Sequence, residues 1–131
     1  IIGCGDVGQR SAKQLVGRTQ VRALTSSPEK KSQLRAQGIQ PVLGNLDEAQ
    51  TLQRLSGWAT RILHLAPPPS DRTGEWATDP RTLNLVRALR KRSAPISLVY
   101  GSTSGVYGDC QGEWVPETRP VNPHTPRAIR R

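Results

Sequence analysis

Gly3-Cys4-Gly5-Asp6-Val7-Gly8 opens the chain with the spacing G-x-G-x-x-G. Set between a strand and a helix, that spacing makes the turn that holds a dinucleotide's pyrophosphate. Gly3 is predicted to turn tightly off the strand, Gly5 to leave room for the phosphates, and Gly8 to let the helix pack closely on the sheet. The helix would aim its first unpaired N–H groups and its positive dipole end at the anion, so the loop needs no lysine. Taken alone, the six residues also fit an ordinary glycine turn, and the flanking pattern has to decide.

Working outward, Val7, Ala12, Leu15 and Val16 recur at near-helical spacing, and Gly17 stands where a helix would stop. Residues 21–24 read as a strand. Ser26 with Glu29, or Ser27 with Pro28, opens a second helix that ends at Gly38. Residues 39–43 read as a strand, with Pro41 placing it near an edge or strand start. A short helix is expected over 46–55 and a strand over 61–65. Asp79-Pro80 caps a further helix with Leu83, Val86 and Leu89 facing inward, and residues 96–100 supply another strand. Strands alternating with helices predict an α/β fold, a doubly wound parallel sheet of Rossmann type. Ligands of such sheets lie at the carboxyl ends of the strands. That singles out the loops 3–8, 25–27, 44–47, 64–69 and 102–108, one of them stiffened by Pro67-Pro68-Pro69.

The 131 residues, 34% of them apolar, suit one domain with a modest core. No apolar run of about 18 residues and no basic-then-apolar leader stands out, so a soluble, cytoplasmic protein with no membrane partner is expected. Cys4 and Cys110 supply neither a disulfide framework nor a metal site. Only Ile1 and Ile2 precede the glycine turn, whereas a strand feeding it needs about five residues, and methionine is absent. A domain truncated at both ends, with its central strand clipped, is therefore expected. Lys and Arg number 19 against 10 Asp and Glu, a formal net charge of +9. The basic residues are scattered, Arg72 among them, except for Arg87, Arg90, Lys91 and Arg92 at one helix end, and no helix-turn-helix, zinc or RNP pattern accompanies them. A nucleic-acid partner is not expected.

Together with the opening turn, Gly44-Asn45-Leu46-Asp47, His64-Leu65-Ala66 and Ser102-Thr103-Ser104-Gly105-Val106-Tyr107-Gly108 resemble the extended short-chain dehydrogenase/reductases. Within that superfamily the chain is similar to the NAD(P)-dependent epimerase and dehydratase group, which acts on nucleoside-diphosphate sugars. The resemblance covers nearly the whole chain. It implies that Gly3, Gly5, Asp6, Val7, Gly8, Thr25, Ser26, Ser27, Asn45, Leu46 and Ala66 bind the cofactor. Asn45 stands where an aspartate usually meets the adenine amino group, and Ala66 is the small residue that lets the chain pass close to the cofactor. His64 reads as a strand-end histidine with a satisfied ring.

A carboxylate ending the second strand would favour NAD by taking the ribose 2′-hydroxyl. Here that end is Thr25-Ser26-Ser27 with Lys30 and Lys31 one turn on, which tolerates a 2′-phosphate and favours NADP over NAD. The same hydroxyls read equally well as helix caps.

The resemblance makes Thr103 the active-site hydroxyl that hydrogen-bonds the reacting oxygen, and Tyr107 a loop-shaping residue. It departs at the family's Tyr-x-x-x-Lys, where Arg127 replaces tyrosine and Arg131 replaces lysine. Arginine stays protonated and cannot serve as a base; it can still offer fixed charge to a ribose or phosphate. Two functions follow. One is the NAD(P)-binding part, residues 1–131, of an epimerase-like oxidoreductase that moves hydride on a nucleotide-sugar or related alcohol or carbonyl substrate. The resemblance implies that the substrate is held mostly by a C-terminal region, which this chain is expected to lack. The other is a non-catalytic NAD(P)-binding sensor. Trp58, Trp76 and Trp114 either line an interface with the substrate-holding part or cover sheet edges.

Overall fold

The computed structural model describes residues 1–69 and 78–131. Arg72 and Trp76 lie outside the described residues. In chain order the elements are α1 (Asp6–Leu15), β1 (Arg22–Thr25), α2 (Lys30–Ala36), β2 (Gln40–Leu43), a 3-10 helix (Ala49–Leu55), β3 (Arg61–His64), α3 (Pro80–Leu89), β4 (Ser97–Tyr100), a second 3-10 helix (Ser104–Tyr107) and α4 (Pro126–Ile129).

All strand pairings among the described residues are parallel. Arg22 through Thr25 lie beside Gln40 through Leu43, and Arg61 through His64 beside Ser97 through Tyr100. Ile2 joins the two pairs by parallel bridges to Leu24 and His64. Its N–H donates to the Leu63 carbonyl at 2.8 Å, and its carbonyl accepts from Leu65 and Ala66 at 2.7 and 3.0 Å. The spatial order is therefore β2-β1-Ile2-β3-β4, with the glycine turn rising from the middle, where the direction of winding reverses. Pro41 falls in β2 at the sheet's edge, where its missing N–H costs no ladder bond.

Strand alternation divides the core between two faces. Val21 and Ala23 pack with Ala12, Leu34 and Ile39, with Ile1, Cys4 and Val16 against them. Leu24 and Ile2 instead join Val42, Leu52, Leu55, Ile62, Leu85 and Leu89 on the opposite face. Helices α1 and α2 thus cover one face, and the first 3-10 helix with α3 covers the other, which is the doubly wound arrangement. Ile39, Leu52 and Leu85 are the largest fully buried apolar side chains, each stabilising by about 2 kcal/mol.

Several local expectations change. The segment 46–55 forms a turn followed by a 3-10 helix rather than an α-helix. On α3 the buried residues are Leu85, Ala88 and Leu89, while Leu83 and Val86 are exposed. The face that meets the first 3-10 helix is the one that is buried. On α1 the buried residues are Gly8 and Ala12, and Val7 and Leu15 are exposed. Close approach to the sheet requires the small residues, so the large ones turn outward. Neither Ser26 nor Ser27 caps α2, whose N-cap is Glu29 without a side-chain hydrogen bond. Gly17 and Gly38 end their helices at φ +85° and +74° as expected, and Asp79 caps α3 by accepting from the Arg81 and Thr82 N–H groups.

Candidate functional site

The loops leaving Ile2, β1, β2 and β3 converge at one end of the sheet. Gly3 adopts φ +89°, and a Cβ there would come within 2.4 Å of the Ala66 backbone nitrogen. A Cβ on Gly8 would meet the Gly3 carbonyl oxygen at 2.7 Å, whereas one on Gly5 would meet nothing within 4 Å. The turn is therefore pressed against β3's exit at Gly3, pressed against helix α1 at Gly8, and open at Gly5. Gly5 is also the N-cap of α1, whose first-turn N–H groups have no intrahelical acceptors.

Two cavities flank this turn. Gly3, Cys4, Gly5, Gln9, Thr25, Ser26, Ser27, Lys30 and Gln33 line one of them, with no carboxylate among its described lining residues. The other is lined by Gly3, Leu24, Ser26, Gly44, Asn45, Leu46, Asp47, Ala66 and Arg81. The fold thus gathers Gly3, Gly5, Thr25, Ser26, Ser27, Asn45, Leu46 and Ala66 into one region. Asp6 and Val7 line neither cavity, and the Asp6 carboxylate pairs on the surface with Arg10 at 3.1 Å. The Thr25 hydroxyl accepts the Ser27 N–H at 3.2 Å and so shapes the loop after β1. Burial pushes the Cys4 thiol up from its ordinary pKa, so it stays protonated beside the turn.

After β2, the Asn45 amide oxygen accepts the Asp47 N–H at 3.1 Å, and its nitrogen donates to Glu48 at 3.0 Å. Asn45 thereby braces its own loop, with one lone pair of the oxygen left to accept from a ligand. Asp47 receives both arms of the Arg81 guanidinium at 2.7 Å. That fork holds the Asp47 carboxyl below the usual carboxylate range, against the opposing effect of burial.

Beneath β3's exit runs a buried polar network. The Thr82 hydroxyl donates to Asp79 Oδ2 at 2.6 Å, so its oxygen is left to accept from His64 Nε2 at 2.9 Å. Tyr100 donates to the same carboxylate at 3.4 Å and meets the His64 ring edge-on. His64 is fully buried. Burial lowers its pKa; Asp79 and the Ile2 backbone oppose this, and Arg131 adds to it. Only half of the ring is satisfied: Nε2 meets Thr82, whereas Nδ1 is buried without a hydrogen-bond partner, contrary to the satisfied ring expected at a strand end.

The residues expected to do chemistry stand on neighbouring elements beyond β4. Thr103 caps the second 3-10 helix, its hydroxyl accepting the Gly105 N–H at 3.4 Å. Helix α4 packs on that element, and a Cβ on Gly105 would lie 3.6 Å from Ala128 Cβ. Arg127 is exposed and lines a cavity with Pro67, Pro68, Pro69, Arg81 and Arg130. Arg131 turns inward, donating to the Gly101 carbonyl and lying over the Tyr100 ring at 4.9 Å. Tyr107 ends the second 3-10 helix, its carbonyl accepting from Cys110 Sγ. Trp58 stacks under Arg22, and Trp114 is 99% exposed. Sequence reasoning missed Arg81, because no local pattern ties it to a partner 34 positions away. Among the described residues there is no cluster suited to a metal ion, and no helix is long and apolar enough to cross a membrane.

Comparison with known proteins matches the TrkA-N domain, a Rossmann-type NAD-binding domain, to residues 1–65. No curated protein sequence matched. Among solved structures, a Thermus thermophilus UDP-glucose 4-epimerase in complex with NAD is 25% identical with a TM-score of 0.74, over 97% of this chain and 45% of that one. A short-chain dehydrogenase/reductase superfamily protein from Agrobacterium tumefaciens, with bound NAD, is 25% identical with a TM-score of 0.69, over 98% and 40%. A conserved protein of unknown function from Silicibacter pomeroyi is 25% identical with a TM-score of 0.70, over 97% and 43%. The chain therefore spans less than half the length of these neighbours. In fold and motif set the chain is a Rossmann-type α/β domain similar to the NAD-binding part of short-chain dehydrogenase/reductase and epimerase structures.

Proposed function

We propose that residues 1–131 are the NAD(P)-binding part of an epimerase-like oxidoreductase, and that NADP is the preferred cofactor. The observation that carries the reading is the turn at Gly3, Gly5 and Gly8. A Cβ is barred where the backbone meets its neighbours, and open space lies at the position assigned to the pyrophosphate. Gly3, Gly5 and the first turn of α1 would hold the diphosphate, with Asp6, Val7 and Gly8 offering backbone rather than side chains. Asn45, Leu46 and Ala66 would wall the adenosine. Thr25, Ser26, Ser27 and Lys30 would meet a 2′-phosphate, because their cavity offers hydroxyls and a cation and no competing carboxylate among its described lining.

A bound nicotinamide supplies hydride transfer. The chain's own contribution on that side is the Thr103 hydroxyl, placed to hydrogen-bond a substrate oxygen of a nucleotide-sugar or similar alcohol or carbonyl. Arg127 cannot take up a proton, and Arg131 is engaged by Gly101 and Tyr100. Those two residues favour a second reading, a dinucleotide-binding sensor without turnover. The reduced thiols of Cys4 and Cys110 suit a cytoplasmic setting.

Fluorescence titration of the intact protein with NADPH and NADH tests the reading. Saturable binding with NADPH tighter is expected; binding of neither would remove the assignment. Turnover on a panel of nucleotide-sugars then separates enzyme from sensor. In an active protein, Thr103→Ala should lower kcat by about a hundredfold, and unchanged turnover would take Thr103 out of the reaction.

A further inference from the structure

The loops that wall the second cavity come from strands that are not neighbours. Gly44 to Asp47 follow β2, Leu65 to Pro69 follow β3, and the order β2-β1-Ile2-β3 puts β1 and Ile2 between them. No sheet hydrogen bond fixes the distance from one loop to the other. Helix α3 spans the gap. From its first turn, Arg81 grips both Asp47 oxygens at 2.7 Å and donates to the Pro67 carbonyl at 3.2 Å. One turn further on, Asn84 donates to the Leu46 carbonyl at 2.9 Å. The helix is itself anchored, because Asp79 accepts from its first N–H groups and from Thr82.

We propose that Arg81 is a positioning residue for the adenosine half of the dinucleotide, setting the width of its cavity by tying Asp47 to the Pro67 carbonyl. The proposal rests on the NAD(P) reading above and adds a role that neither the glycine turn nor the Thr25–Ser27 loop performs. Three observations separate it from an ordinary surface ion pair, which contributes little. Arg81 and Asp47 both line the cavity, and Pro67 directly follows Ala66, which lines its far wall. The contact is a two-armed fork, with the Arg81 side chain only 26% exposed. The same guanidinium holds both walls at once. A lysine is a point charge and cannot make that fork.

The test is calorimetric titration of the intact protein with NADPH, adenosine 2′,5′-bisphosphate and nicotinamide mononucleotide, with circular dichroism melting alongside. Arg81→Gln, Arg81→Lys and Asp47→Asn are each expected to weaken NADPH and the bisphosphate by about tenfold, the scale of one charged hydrogen-bonded pair. Nicotinamide mononucleotide binding should be unchanged, and melting should still be cooperative. The swapped pair Asp47→Arg with Arg81→Asp should recover part of the loss. Full affinity in Arg81→Lys, or tighter binding in Asp47→Asn, would make Arg81 a direct phosphate ligand and overturn the proposal. Unchanged affinity in all variants, or loss only where the melt is lost, would overturn it too. Absence of any binding by the wild type would instead remove the cofactor reading on which it stands.

Discussion

No residue of β1 is exposed, and the loop leading out of Ile2 is fixed by contacts that a single added carbon would break. On β4, by contrast, Val99 is 60% and Leu98 38% exposed, and the adjoining Ile96 is 80% exposed. The first region lies within the stretch matched by a known domain, residues 1–65; beside the second, Arg131 reaches back from the end of α4 to Gly101 and Tyr100. Packing is thus tight around the glycine turn and loose along β4. A backbone cradle needs close packing to work, whereas a proton donor needs only the right side chain at one position.

The comparison breaks most readily at the glycine turn. Gly3→Ala would put a Cβ 2.4 Å from the Ala66 nitrogen at a backbone angle of φ +89°. Both the neighbour and the dihedral resist, so about 3 kcal/mol or more of stability should be lost in denaturant unfolding. Gly5 sits two residues away with open space around it. Gly5→Val should therefore leave the unfolding midpoint nearly in place and abolish NADPH binding, because its side chain enters the space assigned to the phosphates. Retained binding in Gly5→Val, with the fold intact, would mean that the phosphates lie elsewhere.

A smaller effect sharpens the contrast on the other side. Asp79 caps α3 and accepts from Thr82 and Tyr100, linking α3 to β4. Asp79→Ala should cost about 2 kcal/mol, the loss of a cap plus the desolvation of the hydroxyls left behind. Asp79→Asn, which keeps one acceptor for the helix N–H groups, should cost less. Equal losses in the two would mean that capping contributes nothing.

Legibility followed how local each cause is. The glycine turn, the Asp79-Pro80 cap and Pro41's edge place were readable because each acts through its own backbone. The inward face of α3 was not. Leu83 and Val86 share helical spacing with Leu89, yet Leu85 and Ala88 are the residues carried onto the first 3-10 helix. Rotation about a helix axis is set by its partner, and the partner is remote in sequence. Gly8 and Ala12 escaped a reading tuned to large apolar residues, because their value lies in what they lack. Ser26 and Ser27 carried a cap signal that Thr25 forestalls by engaging the Ser27 N–H. The convergence of the loops after Ile2, β1, β2 and β3 was legible, and Arg81 was not, since pairing with Asp47 exists only once α3 lies beside the loop after β2.

The smallest expected effect concerns His64, buried between the two regions beneath Tyr100, Thr82 and Asp79. Burial depresses its folded-state pKa, so as pH falls the unfolded chain takes up this proton before the folded one does. His64 therefore contributes its full share of stability above about pH 6.5, the ordinary imidazole value, and loses it as pH drops toward the depressed folded value. Asp79 and Arg131 act on the ring with opposite sign, so the net slope should be gentle. Unfolding free energies of the wild type and His64→Gln, measured from pH 8 to pH 5, should diverge in slope only below neutrality, with the wild type falling more steeply. Parallel curves would mean that the ring takes up a proton equally well in both states, and that Asp79's charge fully offsets the loss of water around it.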